Sequence, residues 1–203
     1  RGETVVLTAL EPELLEDLTA SYQNQTLALR LDVTKPEEVK EAVKRAISTF
    51  GRIDVLVNNA GWRIDGAIEE VDNERFRRVF DTNFFGVLEI LRAVLPHMRQ
   101  QRSGHILNVS SIACFQTNAW MGFYTSSKMA LEGISGCLAQ EVAPFGIKVT
   151  IVEPGELRTD FVKNCFVLTD TQIEDYKPLI EERRQGMIEY VEQRLQKAAG
   201  NPN

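Results

Sequence analysis

The chain has 203 residues, 43% of them hydrophobic, and a formal net charge of −6. That suffices for one domain with a sizeable core and is too short for two. A sequence pI of about 5.1 offers no basic footprint for nucleic acid. No apolar run reaches the ~20 residues of a membrane span, because the best candidate, NFFGVLEILRAVL, carries Glu89 and Arg92.

The three cysteines, Cys114, Cys137 and Cys165, are odd in number and lack CxxC spacing. They read as reduced thiols of a cytoplasmic protein. With only His97 and His105, and no cysteine pair beside them, no metal site is expected. Arg1-Gly2 opens directly onto a strand, without an initiator methionine or a targeting segment, so the native chain is expected to be longer.

Strands and helices alternate along the chain. TVVLTAL (4–10) reads as a first strand, followed by EPELLEDLTASY with leucines at helical spacing. TLALRLDV (26–33) is the next strand. KPEEVKEAVKRAISTFG is a helix with Val39, Val43 and Ile47 on one face, a proline near its start and Gly51 as its stop. IDVLVNNAG (53–61) is a strand running into a polar loop. A long helix with an apolar stripe spans 73–99, and GHILNVSS (104–111) is a strand. Residues 124–143 form another helix and IKVTIVEPG (147–155) another strand. The charged tail that follows holds Ile173, Leu179, Ile180, Met187, Ile188, Val191 and Leu195, the pattern of one or two amphipathic helices across the ligand edge. This alternation predicts a doubly wound parallel sheet covered on both faces. Such sheets bind ligands at the carboxyl ends of their strands.

The strand exits hold the polar residues of interest. LDVT ends one strand, and Asp32 there reads either as a partner for an adenine amine or as a helix N-terminal turn. Asn58-Asn59-Ala60-Gly61 ends another, as a turn or as a close approach to a ligand. Ser111 lies thirteen positions before Tyr124, and Lys128 lies four after it. On a helix that spacing puts Tyr124 and Lys128 on one face. Ser111 alone reads equally as a strand-end cap. Asn83 interrupts an apolar stripe, where an uncompensated amide costs about 1–3 kcal/mol. It is either a satisfied core amide or a polar group facing the site.

LDVT (31–34), NNAG (58–61), Asn83 in FDTNFFG, Ser111, Tyr124-x-x-x-Lys128 and PGELRT (154–159) together resemble the short-chain dehydrogenases/reductases. The resemblance runs from residue 4 to about 161, and the tail from 162 to 203 matches the family's substrate lid in position and character. It implies a Rossmann-like α/β domain and an NAD(P)-dependent alcohol–carbonyl oxidoreductase. Tyr124 is then the proton donor or acceptor, Lys128 the tuning charge and nicotinamide-ribose contact, Ser111 the substrate-oxygen partner, and Asn83 the support of a water relay to Lys128. Asp32 and Val33 touch adenine, and Asn59, Ala60 and Gly61 border the cofactor ribose. Pro154, Gly155 and Thr159 belong to the cofactor site, Thr159 bonding the carboxamide.

Two departures accompany the match. The family's first strand with its TGxxxGxG turn, and its last strand and helix, are expected outside these residues. Leu10 and Glu11 stand where the family places its cofactor-selecting residue, so both NAD and NADP remain open. Trp62, Phe115, Trp120, Met121 and Phe161 suggest a hydrophobic substrate wall, with core or lid packing as the stronger reading of each. Arg63 and Arg158 read as solvated surface before anion receptors. The resemblance also implies a small-molecule carbonyl or alcohol partner, and a homodimer or homotetramer built on helices 73–99 and 124–143. The rival readings are a nonenzymatic nucleotide sensor or scaffold, and an epimerase or dehydratase of the same fold.

Overall fold

The computed structural model describes residues 2–22, 24–155, 166–169, 172–186 and 189. Strand β1 (Val5–Ala9) pairs in parallel with β2 (Thr26–Arg30), Val5 opposite Thr26 and Ala9 opposite Arg30. The segment between them is a 3-10 turn, Pro12–Leu15, followed by the short helix α1 (Glu16–Ala20), where one continuous helix is expected. Leu14 and Leu18 are exposed, so no buried face sustains a longer helix.

Helix α2 (Pro36–Phe50) starts on its proline with Glu37 and Glu38 in the first turn and stops at Gly51, whose φ of 78° few other residues adopt. Its buried stripe is Val39, Ala42 and Ala46, rotated slightly from the expected one, with Val43 at the margin. Strands β3 (Val55–Asn58), β5 (Gly104–Val109) and β6 (Ile147–Val152) form a second parallel sheet in the order β3-β5-β6. Asn58 stands opposite Asn108 in it.

The long helix is divided. Helix α3 (Asn73–Phe80) is capped by Asp72, which accepts from Arg75 N at 2.8 Å. A π turn, Asp81–Phe85, then leads into α4 (Gly86–Gln101). The wide turn carries the buried Asn83 and brings Gly86 against Val33. Helix α5 (Gly122–Val142) begins just before Tyr124 and packs on β6.

Val39 of α2, Ile90, Leu91, Val94 and Met98 of α4, Leu131 and Leu138 of α5 and Ile106 of β5 form the main core. Leu56 of β3 packs against it. On the opposite side of β3, Val55 and Val57 are 56% and 55% exposed. Among the described residues β1 and β3 are not paired, and a cleft lined by Thr8 and Val57 separates the two sheets.

A third, two-stranded parallel sheet joins β4 (Arg63–Asp65) to β7 (Phe166–Leu168). Three-residue strands carry too little periodicity to be read from sequence. Beyond it, helix α6 covers 177–186, with Ile180 buried at its centre. Met187, Ile188, Val191 and Leu195, expected on the same amphipathic tail, lie outside the described residues. No described helix is long and apolar enough to cross a membrane.

Candidate active site

Strand β5 delivers Ser110 and Ser111 at its carboxyl end. Ser111 is extended and caps the 3-10 turn Ile112–Cys114, accepting from Ala113 N at 3.1 Å. Its hydroxyl also lies beside the Tyr124 phenol and favours the ionised form. The strand-end cap and the tyrosine partner are therefore one residue in two roles. Tyr124 sits in the first turn of α5, only 8% exposed. Burial pushes its phenol above the ordinary tyrosine value, while Ser111 and the Arg63 charge pull the other way.

Lys128 lies one turn further along α5. Its Nζ stands 5.9 Å from the centroid of the Tyr124 ring and donates to Val109 O at 2.7 Å. Burial depresses its ammonium to about 8, against the smaller opposing pull of Cys114 and Glu132. Asn83 is fully buried. Its Oδ1 accepts from Trp62 N at 2.8 Å, and its Nδ2 donates to Trp62 O and to Ser127 Oγ, each at 2.9 Å. It is a satisfied core amide, and it fixes the chain immediately after Gly61. A Cβ on Gly61 would lie 3.6 Å from Asn83 Oδ1 and 3.7 Å from Lys128 Nζ.

Other expected contacts are spread around this centre. Asp32 Oδ1 accepts from Thr34 N at 2.9 Å and Thr34 Oγ1 at 2.7 Å, while Asp32 N donates to Glu38 at 2.8 Å. Burial raises its carboxyl, yet the Thr34 bonds and the Lys35 and Arg30 charges outweigh that, leaving it below the usual range. This is the helix N-terminal turn the sequence allows. Val33 is buried, its side chain against Gly86. Asn59 and Ala60 line a cleft of about 160 Å³ together with Thr8, Val33, Asn58 and Thr82. Pro154 O accepts from Ile112 N at 3.3 Å, which ties the exit of β6 to the turn after Ser111, and Gly155 is exposed beside it. Thr159, like Arg158, Phe161 and Cys165, lies outside the described residues.

Asn58 lines this cleft at the carboxyl end of β3, and its buried Oδ1 has no hydrogen-bond partner among the described residues. Asn58 Nδ2 is already committed to Asn108 Oδ1 at 2.8 Å. Asn59 and Ala60 at the exit of β3, with Tyr124 and Lys128 of α5, would hold the ribose and nicotinamide end of a dinucleotide cofactor.

Arg63 departs from the expectation of a solvated surface charge. Its Nε and one terminal nitrogen bond the two oxygens of Asp65 at 2.8 and 2.6 Å, and its guanidinium stands 5.6 Å from the centroid of the Tyr124 ring. Asp65 is fully buried and also accepts from Arg183 of α6 at 3.0 Å. Opposite charges two residues apart after NNAG were the only sequence trace of this cluster.

The hydrophobic wall divides. Met121 is buried with Ala113 and Tyr124, while Phe115 is 70% exposed. Trp62 packs beside Ile64 and Val79, under Arg78 at 4.6 Å. Trp120 takes a φ of 74°, uncommon for a bulky residue, and meets Tyr176 edge to face with centroids 5.5 Å apart.

A family profile described as short chain dehydrogenase matches residues 1–167. Oxidoreductase BOA17 of Botryotinia fuckeliana is 38% identical over 98% of this chain and 70% of its own length. A 3-ketodihydrosphingosine reductase of Bacteroides thetaiotaomicron is 48% identical over 73% of this chain, which spans 55% of that relative. A short-chain dehydrogenase structure from Streptomyces avermitilis superposes with a TM-score of 0.83 at 40% identity, covering 91% of this chain and 68% of its own. Two further neighbours hold nicotinamide cofactors. ElxO with NADP bound has a TM-score of 0.73 at 32% identity, over 78% of this chain and 66% of its own. A 3-ketoacyl-(acyl-carrier-protein) reductase from Brucella melitensis, complexed with NADH, has 0.76 at 29%, over 81% and 69%. A cofactor of the NAD(P) class fits this chain, with NAD and NADP both represented among these neighbours. By the extent of the family match and the arrangement of its strand exits, the chain belongs to the short-chain dehydrogenase family.

Proposed function

We propose that this protein interconverts an alcohol and a carbonyl with NAD or NADP, Tyr124 serving as general acid and base. The observation that carries this reading is the buried Tyr124 phenol beside Ser111, with Lys128 Nζ 5.9 Å from its ring. A bound nicotinamide supplies or accepts the hydride. The residues supply everything else. Ser111 hydrogen-bonds the substrate oxygen and holds it beside the phenol. In reduction Tyr124 gives its proton to that oxygen as the carbon is reduced; in oxidation it takes the proton back. Burial favours the protonated phenol, the form that reduction uses.

Lys128 holds the ribose and adds positive charge near the phenol. Asn83 anchors the backbone at Trp62, so that Gly61 can lie close to Lys128. The tail from 162 to 203, of which 166–169, 172–186 and 189 are described, acts as the substrate lid. The Trp120–Tyr176 pair and the buried Met121 favour a substrate with an apolar body, as the name of the reductase relative also suggests. The protein is cytoplasmic in this reading, and pairs with a second copy through the helices of 73–99 and 124–143, where Phe85 of the π turn and Met129 of α5 are exposed.

Absorbance of the reduced nicotinamide, followed with a panel of ketones of increasing apolar length, tests the assignment. Consumption of one reduced cofactor per alcohol formed is expected. Product formation with no net cofactor turnover would instead place the protein with the non-redox members of the fold.

A further inference from the structure

Arg63 and Asp65 stand two apart on β4 and so project to the same face. Asp65 has 0% exposure, and Arg63 grips both of its oxygens in a fork, at 2.8 and 2.6 Å. The same guanidinium lies 5.6 Å from the Tyr124 ring centroid. Arg183 reaches Asp65 Oδ2 from α6 at 3.0 Å. Two cations thus share one carboxylate beside the phenol.

Resting on the proton-transfer reading above, we propose that Arg63 is a positioning cation for the Tyr124 phenol, that Asp65 locks its guanidinium over the ring, and that Arg183 couples this lock to α6. A guanidinium suits the task because it keeps its charge at every working pH. Lys128 does not, since burial brings its ammonium down to about 8.

The groups around the phenol come from several elements. The turn after β5 contributes Ser111 and Cys114, β4 contributes Arg63 and Asp65, and α5 contributes Lys128. Burial, Cys114 and Asp65 hold the proton on Tyr124, while Ser111 and Arg63 release it. Arg183 acts by offsetting Asp65. Each charge therefore carries its own sign. Removing Arg63 makes the phenol harder to ionise, removing Asp65 makes it easier, and removing Arg183 shifts it as Arg63 does, by less.

Tyrosinate absorbance reads this directly and needs no substrate. Each variant is titrated against the same variant carrying Tyr124→Phe, so that the difference isolates Tyr124. Arg63→Gln is expected to move the Tyr124 titration up by about 1 unit, the size set by an opposite charge at this range. Arg63→Lys retains most of the wild-type value, Arg183→Gln moves it up by less, and Asp65→Asn moves it down. A residue that merely packs would not give shifts of opposite sign. An unmoved titration in Arg63→Gln, or an upward one in Asp65→Asn, overturns the proposal. Arg183 is partly exposed, so Arg183→Gln decides the matter if the β4 variants fail to fold: a downward or absent shift there also overturns it. Turnover of the Tyr124→Phe protein speaks to the redox reading separately.

Discussion

Asn83 holds both backbone polar groups of Trp62, accepting from its N–H at 2.8 Å and donating to its carbonyl at 2.9 Å. One side chain in the π turn thereby fixes the end of the NNAG loop against α5, through a third bond to Ser127. Replacing Asn83 with Ala leaves buried partners unsatisfied and opens a cavity, at a combined cost of about 2–4 kcal/mol. Urea denaturation should report that loss. The variant's affinity for the nicotinamide cofactor should fall as well, because Gly61 loses its anchor.

Lys128 gives stability a pH signature. Its folded value is about 8 against an ordinary 10.5, so between those values the unfolded chain binds more protons. Stability from this residue therefore rises as pH climbs from 8 to 10.5, by roughly 3 kcal/mol in all. Cys114 and Tyr124 are both shifted upward and oppose the trend at high pH. The Lys128→Met variant, compared with wild type at pH 7 and pH 9.5, isolates the lysine. Its stability should gain on wild type at pH 7 and keep less than half of that advantage at pH 9.5.

Gly86 has no room for a side chain. A Cβ there would sit 2.7 Å from Val33 Cγ2 and 3.0 Å from Asp81 O. Gly86→Ala should therefore destabilise the protein by about 1–3 kcal/mol by overpacking, despite the better helix propensity of alanine. The double variant with Val33→Ala should recover part of the loss, a coupling that thermal melts of the four proteins would measure.

The chemistry of this chain was more legible than its packing. Ser111, Tyr124 and Lys128 could be read because helical spacing and a strand exit put them together by local rules. Asn83 stood out as an amide on an apolar stripe, though its partner, the backbone of Trp62, could not be read: backbone contacts leave no sequence trace. Asp32 offered two readings, and its bonds to Thr34 match the turn. The helix after β1 is short because Leu14 and Leu18 stay exposed and give it no buried face among the described residues. The Arg63–Asp65–Arg183 cluster was illegible for a different reason. Asp65 and Arg183 lie 118 positions apart, and the sheet of β4 and β7 that frames the cluster is only three residues long on each side.

The central claim is that the Tyr124 hydroxyl moves the proton of the reaction. Turnover and cofactor affinity of the Tyr124→Phe protein, measured side by side, test it most directly. Loss of the oxygen should lower kcat by about 10²–10⁴-fold while the dissociation constant of the nicotinamide cofactor changes by only a few fold. A kcat equal to wild type, with the cofactor still bound, would contradict the account.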